Sequence, residues 1–407
     1  MPPTLAAGCL SRARAASSTM SAMSPRGTSP IRPALAATLA LLPQAGGDWP
    51  SFRGDPAQSG IAAGTLVAAP VQRWSFRAPK AIVSSPVVAE GRLTIGCDDG
   101  NVYCLDARTG AQLWTHPTGD VIEAPPLIHA GSVYVGSSTG DFHALALADG
   151  SARWKASTGD KILGGANWIE VAGETRIVVG SYDANLYCFA AADGAVRWKY
   201  ETGNYVNGAP AIEGGRIVFG GCDSRLHVVS ALDGTALATL DLGPDAHVAG
   251  SVGLAGGRVY LGHYGNAFVC ADLAGNEIRW SFPDPKHPFF SSPAITAERV
   301  VFGGRNKQLH CLRRSDGEVL WTYATRRKVD GSPVVAGDAV VFGSGDGKLI
   351  VLALADGSER WSFELGSEIG GSVAVAGGWI YAATLDGRVL AFGPPPEPGT
   401  AARQGDG

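Results

Sequence analysis

A tryptophan returns along this chain at a nearly fixed interval. It stands at positions 74, 114, 154, 198, 280, 321 and 361, with gaps of 40, 40, 44, 82, 41 and 40 residues. The gap of 82 is two periods with the indole missing, and Ala238 occupies the empty slot. A second signal gives the same count. A turn followed by an alternating apolar strand recurs eight times, as in Gly100-Asn-Val-Tyr-Cys-Leu105, Lys307-Gln-Leu-His-Cys-Leu312 and Gly387-Arg-Val-Leu-Ala-Phe392. Repetition at about 40 residues means a modular architecture in which each unit buries its apolar face against the next.

One unit reads as four short strands. Residues 332–336 (SPVVA), 339–344 (AVVFGS), 348–354 and 359–363 (ERWSF) alternate apolar and polar positions. They are separated by turns of two to four residues rich in Gly and Asp, the signature of tight hairpins. A period of 2 rather than 3.6 excludes stacked helix pairs. The composition agrees: 56 of 407 residues are glycine, and charged residues make up only 17%. Four antiparallel strands per repeat is a propeller blade, so the sequence predicts an all-β, eight-bladed β-propeller. The last unit stops after its third strand, before Pro394, while 71–76 (VQRWSF) is a fourth strand that precedes the first full unit. The N-terminal strand is therefore expected to complete the last blade, which removes the exposed edges of an open ring.

Three segments follow from this reading: a leader over 1–47, the propeller over 48–394 and a Pro- and Gly-rich tail over 395–407, expected to be disordered. Residues 1–46 carry Arg12, Arg14, Arg26 and Arg32 and no acidic residue. Without them the balance is 29 basic against 37 acidic, a net −8. Residues 34–42 (ALAATLALL) form an apolar run after two arginines, followed by small residues at 45–47. This is the layout of a secretory signal peptide, with Met20 or Met23 as alternative starts, and it predicts an exported, periplasmic or extracytoplasmic protein. Leu5-Ala-Ala-Gly-Cys9 has the form of a lipoprotein box, but no basic or apolar segment precedes it. No stretch of about 18 apolar residues is present to span a membrane as a helix, so any membrane association is expected to be peripheral. A net charge of −4 offers no electrostatic basis for nucleic-acid binding.

The repeat can be written Ser-Pro-Val-Val, a strand ending in Gly, Asp-Gly, Leu-Tyr-x-Leu-Asp-Ala, Thr-Gly, Trp. Leu105-Asp-Ala-Arg-Thr-Gly-Ala-Gln-Leu-Trp114 is a clear copy, and Asp48-Trp-Pro-Ser-Phe-Arg-Gly54 resembles the lead-in of bacterial members. In these features the chain, over about 48–394, resembles the pyrroloquinoline-quinone-type propeller repeat family. The resemblance implies the fold and leaves two functions open. One branch consists of quinoprotein alcohol dehydrogenases, which bind the quinone and a calcium ion at the ring centre. The other is non-enzymatic and includes the propeller lipoprotein of the outer-membrane β-barrel assembly machinery, which binds proteins and no cofactor.

The residues favour the second branch. The dehydrogenases carry adjacent cysteines and long insertions with acidic calcium ligands; this chain has no Cys-Cys pair, and its periods stay at 40 to 44 residues. No catalytic, cofactor or metal residue is assigned, and the expectation is a binding scaffold, with a quinone- and calcium-dependent dehydrogenase as the alternative. Cys104, Cys188, Cys270 and Cys311 share one repeat position, and Cys97 and Cys222 another. Equivalent positions in a ring point the same way, which suits small buried apolar residues better than disulfides. Asp98-Asp-Gly-Asn101 lacks the spacing of a calcium loop and reads as a hairpin turn.

Antiparallel order puts the turns between second and third strands on the same face as the connections between blades. That face should collect Lys80, Glu123, Asp160, Lys161, Tyr182, Tyr205, Asn207, His247, His263, Tyr264, His287, Phe289 and Phe290. It should also carry Arg305 and Lys307 from one loop beside Arg326, Arg327 and Lys328 from the next connection. Five cations in two neighbouring loops predict a site for an envelope protein or an anionic ligand, on a monomer or a subunit of a complex. Trp168, within an innermost strand, is a further candidate for stacking on a ligand near the axis.

Overall fold

The computed structural model describes residues 47–396. They form eight blades of four antiparallel strands, one of which gains a fifth strand, Ile61–Ala62, parallel to its innermost strand Val334–Ala336, with no α-helix among the described residues. Blade 1 consists of Val87–Ala89, Arg92–Gly96, Asn101–Asp106 and Gln112–Pro117, from the innermost strand to the outermost. Blades 2 to 7 repeat this order over 127–157, 167–201, 211–241, 253–283, 294–324 and 334–364. Blade 8 takes its inner three strands from 374–393 and its outermost from Val71–Arg77, which pairs antiparallel with Arg388–Gly393. The expected closure is present: one blade is held jointly by both ends of the propeller. The expected leader over 1–47, apart from Gly47, and most of the tail lie outside the described residues.

The periodic tryptophan sits between blades. The Trp114 indole N–H donates to the Leu147 carbonyl of the following blade at 2.9 Å, and Trp74, Trp154, Trp198, Trp280 and Trp321 repeat the bond. Each ring lies flat on a glycine of that neighbour's turn. A Cβ at Gly110, Gly150, Gly194, Gly234 or Gly357 would stand 2.6–2.7 Å from the ring in front of it. These glycines also have φ near +74°, where a side chain is disfavoured. The pair is one unit, and the exception proves it. Where Ala238 replaces the tryptophan, the glycine position opposite is Asn276, whose amide fills part of the gap by donating to the Thr239 carbonyl at 3.0 Å.

A second set of bonds ties the blades near the axis. Ser85, Ser372, Ser332, Ser292 and Ser251 stand at the start of innermost strands. Each hydroxyl oxygen accepts the amide of the equivalent residue one blade away, at 2.7–3.0 Å, from blade 1 through blades 8, 7, 6 and 5 to Ala209 of blade 4. This explains the Ser of the Ser-Pro-Val-Val motif. The seam between blades 8 and 1 is bridged like the others.

The lead-in segment 47–62 lies across the hub. Gly47 meets blade 8 and Trp49 pairs with Val88 of blade 1. The carbonyls of Pro50, Pro56, Ala57, Ser59 and Gly60 accept amides from Ile128, Ile212, Leu254, Ile295 and Val335 of blades 2, 4, 5, 6 and 7. Blade 3 joins through the Asn167 amide, which donates to the Pro56 carbonyl at 2.8 Å. Every blade is thus touched by one short stretch of chain. Arg53 is its anchor: 1% exposed, it donates to the carbonyls of Pro293 and Pro333. Burial pulls its guanidinium down to about 9, still protonated at neutral pH.

The cysteines behave as small core residues. Cys97, Cys104, Cys188, Cys270 and Cys311 are buried as free thiols. Burial pushes Cys104 and Cys311 up to about 11, away from the reactive thiolate.

Two predictions follow from the core. Ala238→Trp alone should gain little, because the ring meets the side chain of Asn276. Combined with Asn276→Gly it should stabilise the protein by about 1–3 kcal/mol, the usual scale of a buried aromatic contact. Urea unfolding of both single variants and the double variant checks this; strictly additive effects would refute the Trp–Gly unit. The second concerns acid. His143 and His310 sit on third strands, and burial lowers both to about 4. A histidine with a depressed folded pKa binds its proton more readily when unfolded. Its contribution is whole above about pH 6.5 and is lost as pH falls toward 4. The melting temperature should drop by roughly 5 °C or more between pH 7 and 4.5. Substitution of His143 and His310 by Gln should flatten that drop; an unchanged pH profile would show that these rings are not its source.

Candidate functional site

Which residues share a face is decided by a backbone bond repeated in all eight blades. The turn between second and third strands donates an amide to the carbonyl of the preceding connection: Asp98 to Ala81, Ser138 to Val121, Tyr182 to Lys161, Cys222 to Tyr205, Tyr264 to His247, Arg305 to Pro288, Gly345 to Lys328 and Leu385 to Glu368. Turns and connections therefore form one rim, as the antiparallel order requires. It surrounds an axial cavity of about 210 Å³ whose wall is mostly Gly, Ser and Ala at the starts of the innermost strands, with Phe52 of the lead-in segment also lining it. The wall is narrow because the strands meet backbone to backbone. A Cβ on Gly208 would stand 2.5 Å from the Gly250 carbonyl oxygen. Asp330 is the one charged residue lining the cavity.

Blades 3 to 6 carry aromatic rings on this rim. Tyr182 and Tyr205 stack at 4.7 Å with planes 14° apart, and the Tyr182 hydroxyl donates to the Asn207 side-chain oxygen at 3.1 Å. Farther round, Tyr264 packs on Phe290 at 4.4 Å, and the Arg305 guanidinium lies over the Phe290 ring at 4.2 Å. Tyr205 and Tyr264 are 46% and 49% exposed, a large aromatic area to leave in water. Burial, reinforced by nearby Cys222 and Glu123, pushes the Tyr182 phenol up to about 12. On the blade 1 and 2 side, burial raises the carboxyls of Glu123 and Asp98.

The five cations do come together, but they are not equivalent. Arg305 grips Asp330 with two bonds of 3.1 Å. Lys328 reaches Asp330 at 2.8 Å and Glu368 at 3.4 Å. These two are neutralised by carboxylates the sequence reading did not consider, although Asp330 lies only two residues from Lys328. Lys307, Arg326 and Arg327 are exposed and make no ion pair among the described residues. The Thr325 hydroxyl knits their loops by bonding the carbonyls of Lys307 and Arg327 at 3.0 and 2.6 Å.

Three expected rim positions differ. His263 and Phe289 are 4% and 0% exposed and belong to the core; His263 is the last residue of the strand Arg258–His263, and Phe289 turns inward from its connection to pack against Phe282, Phe302 and His310. Trp168 does not line the axial cavity. Its indole stacks on His129 of blade 2 at 3.9 Å, because side chains of an innermost strand point toward neighbouring blades. It stands in blade 3, away from the basic loops of blades 6 and 7.

Comparison with known proteins places this geometry. No curated protein matches the chain in sequence. Among solved structures, BamB from Moraxella catarrhalis is 20% identical, with a TM-score of 0.68 over 80% of this chain and 98% of that one. Quinohemoprotein alcohol dehydrogenase ADHIIG from Pseudomonas putida HK5 is 13% identical, with a TM-score of 0.73 over 86% and 82%. The computationally designed Ika8 protein is 14% identical, with a TM-score of 0.67 over 78% and 97%. At these identities the likeness concerns the fold. The family model described as outer membrane protein assembly factor BamB matches residues 63–166, 148–248 and 222–394. Nearly the whole propeller is covered, and the chain belongs to this family of PQQ-like propellers.

Proposed function

We propose that the chain is an exported, non-catalytic scaffold of the cell envelope that holds a protein partner on the rim of its axial cavity. The observation that carries this reading is the rim itself. Exposed Tyr205 and Tyr264 stand on the same face as Lys307, Arg326 and Arg327, three cations without ion pairs among the described residues. Aromatic rings and arginine are the side chains that contribute most to protein interfaces. The free cations select an acidic segment, and Arg305, held against Phe290 by Asp330, presents a fixed edge beside them. The family's description as an outer-membrane assembly factor supports a partner within an envelope complex. The leader, with its arginines ahead of residues 34–42, supports export.

The dehydrogenase reading has the fold in its favour and the cavity against it. About 210 Å³ is below the roughly 300–1,000 Å³ of sites that enclose ligands of that size. The quinone is a tricarboxylate, and the one charged residue of the lining, Asp330, already pairs with Arg305 and Lys328, so the lining itself presents no cation to receive it. Calcium takes six to eight oxygen ligands, several of them carboxylates; no group of three or more acidic, His or Cys side chains is placed to hold a metal among the described residues. These residues do not fit the group, and we propose that the protein works without it.

Two measurements test the reading. Capture of partners from envelope extract should weaken by more than tenfold in Lys307→Glu/Arg326→Glu/Arg327→Glu, since like charges across an interface cost several kcal/mol. Capture should also decline with added salt. Equal capture by wild type and variant would overturn the rim as the site. Titration of the purified protein with pyrroloquinoline quinone and calcium should produce no saturable absorbance change and no dye-linked alcohol oxidation; a stoichiometric holoprotein would overturn the non-catalytic assignment.

A further inference from the structure

On the opposite face, where first and second strands turn, a cleft of about 550 Å³ opens between blades 5 and 6. Its lining holds Arg258, Arg299, Arg313 and Arg314 against a single acidic residue, Glu298. Four guanidiniums around one cleft is a concentration of charge on a chain whose net charge is −4.

The fold does not require them. In blades 1 and 5, the arginine that starts the second strand faces an aspartate on the third: Arg92 opposite Asp106, and Arg258 opposite Asp272. In blade 6 the aspartate of the repeat is replaced, and Arg299 faces Arg313. Like charges directly opposite on paired strands destabilise a sheet. Arg313 is partly relieved by Asp316 and Glu318. The other three make no ion pair among the described residues. Arg314 is pinned without a carboxylate: its Nε donates to the Tyr260 hydroxyl at 2.9 Å and its Nη2 to the Ala255 carbonyl at 2.7 Å. Arg299 donates only to the Ala355 carbonyl, at 3.3 Å. Blade 5 thus supplies one half-buried arginine to the cleft wall, blade 6 supplies two without acidic partners, and one of those is locked in place.

We propose that this cleft is a binding site for a compact phosphate-bearing anion that carries two adjacent anionic groups. Planar guanidinium forks match phosphate oxygens two at a time. Arg258 of blade 5 and Arg299 of blade 6 both line the cleft, and each has donors free for one group, since Arg258 makes no side-chain hydrogen bond among the described residues and Arg299 spends only Nη1, on the Ala355 carbonyl of blade 7. Arg314, on the same lining, supplies a fixed positive charge at no further ordering cost. The volume falls in the range of sites for small ligands. Such an anion would relieve the part of the Arg299–Arg313 repulsion that Asp316 and Glu318 leave. It could be a free diphosphate or a phospholipid headgroup.

The test uses the purified protein, with inorganic pyrophosphate followed by calorimetry and, separately, sedimentation with vesicles of cardiolipin, whose headgroup carries two phosphodiesters, in phosphatidylcholine. Arg258→Gln/Arg299→Gln should weaken binding by at least about tenfold, the usual loss for a charge-assisted contact. Arg326→Gln/Arg327→Gln, on the other face, should bind as wild type. If the double variant unfolds, Arg258→Gln alone serves, because Arg258 makes no side-chain bond in the structure. Arginine-dependent pyrophosphate binding without vesicle binding assigns a soluble anion. Arginine-dependent sedimentation, competed by pyrophosphate, assigns the headgroup. Absence of both, or equal binding by wild type and the Arg258→Gln/Arg299→Gln variant, overturns the site.

Discussion

Eight wedges close a circle only if the last seam is made like the other seven. In this protein that condition falls on a strand more than 300 residues from its partner: Val71–Arg77 pairs with Arg388–Gly393. Until the pairing forms, blade 8 has an open edge, and the Trp74 indole has no fixed place against the Ala107 carbonyl of blade 1. The seam is then reinforced twice, by the Ser372 amide on the Ser85 hydroxyl and by the lead-in segment, which meets blade 8 at Gly47 and blade 1 at Trp49. Closure is long in sequence and therefore costly in chain entropy. A segment that touches all eight hubs offsets that cost with contacts that no single blade can make.

Between blades the recurring contact is an indole lying on a glycine. It couples two sequence positions about 36 residues apart that no strand ladder connects. The ring needs a neighbour without a Cβ, and the turn needs φ near +74°, so one glycine meets both demands. At Ala238 and Asn276 both partners have changed together. An Asn tolerates φ of 49°, and its amide reaches a carbonyl that a tryptophan would cover. The blade 4–5 seam is thus held by polar contact and smaller apolar groups, such as Leu240 and Leu273, where the others use an aromatic ring.

The blade count, the four-strand unit, the closing strand and the rim face were legible because each is written in period and order. Trp114 or Tyr205 can be placed by counting. What could not be read was direction and partnership. Trp168 sits at a countable position, yet whether an innermost side chain faces the axis or the next blade depends on sheet geometry. Asp330 and Lys328 are two residues apart in sequence, but their pairing with Arg305 joins two loops that meet only in the closed ring. The role of 47–62 was also hidden: its residues do not repeat, and their partners are carbonyls and amides, which every residue carries. Arg313 and Arg314 break the Leu-Asp-Ala pattern visibly, but only the strand ladder shows that the break sets one arginine opposite another.

The axis itself limits what this ring can bind. The serine bonds and the glycine contacts draw the innermost strands together until their backbones touch, and Phe52 occupies part of what remains. Lining the cavity with ligand-binding groups would require side chains at positions such as Gly208 and Gly250, and those would collide with the neighbouring carbonyl before they reached a ligand. Chemistry at the centre is therefore in conflict with the contacts that hold the hub. Loops at the rim and turns between blades are under no such constraint. Their length and composition can change without altering a seam, as the basic loops of blades 6 and 7 and the arginines between blades 5 and 6 have done. On the function proposed above, recognition falls to the two faces of the ring, with the axis given over to the contacts that hold it closed.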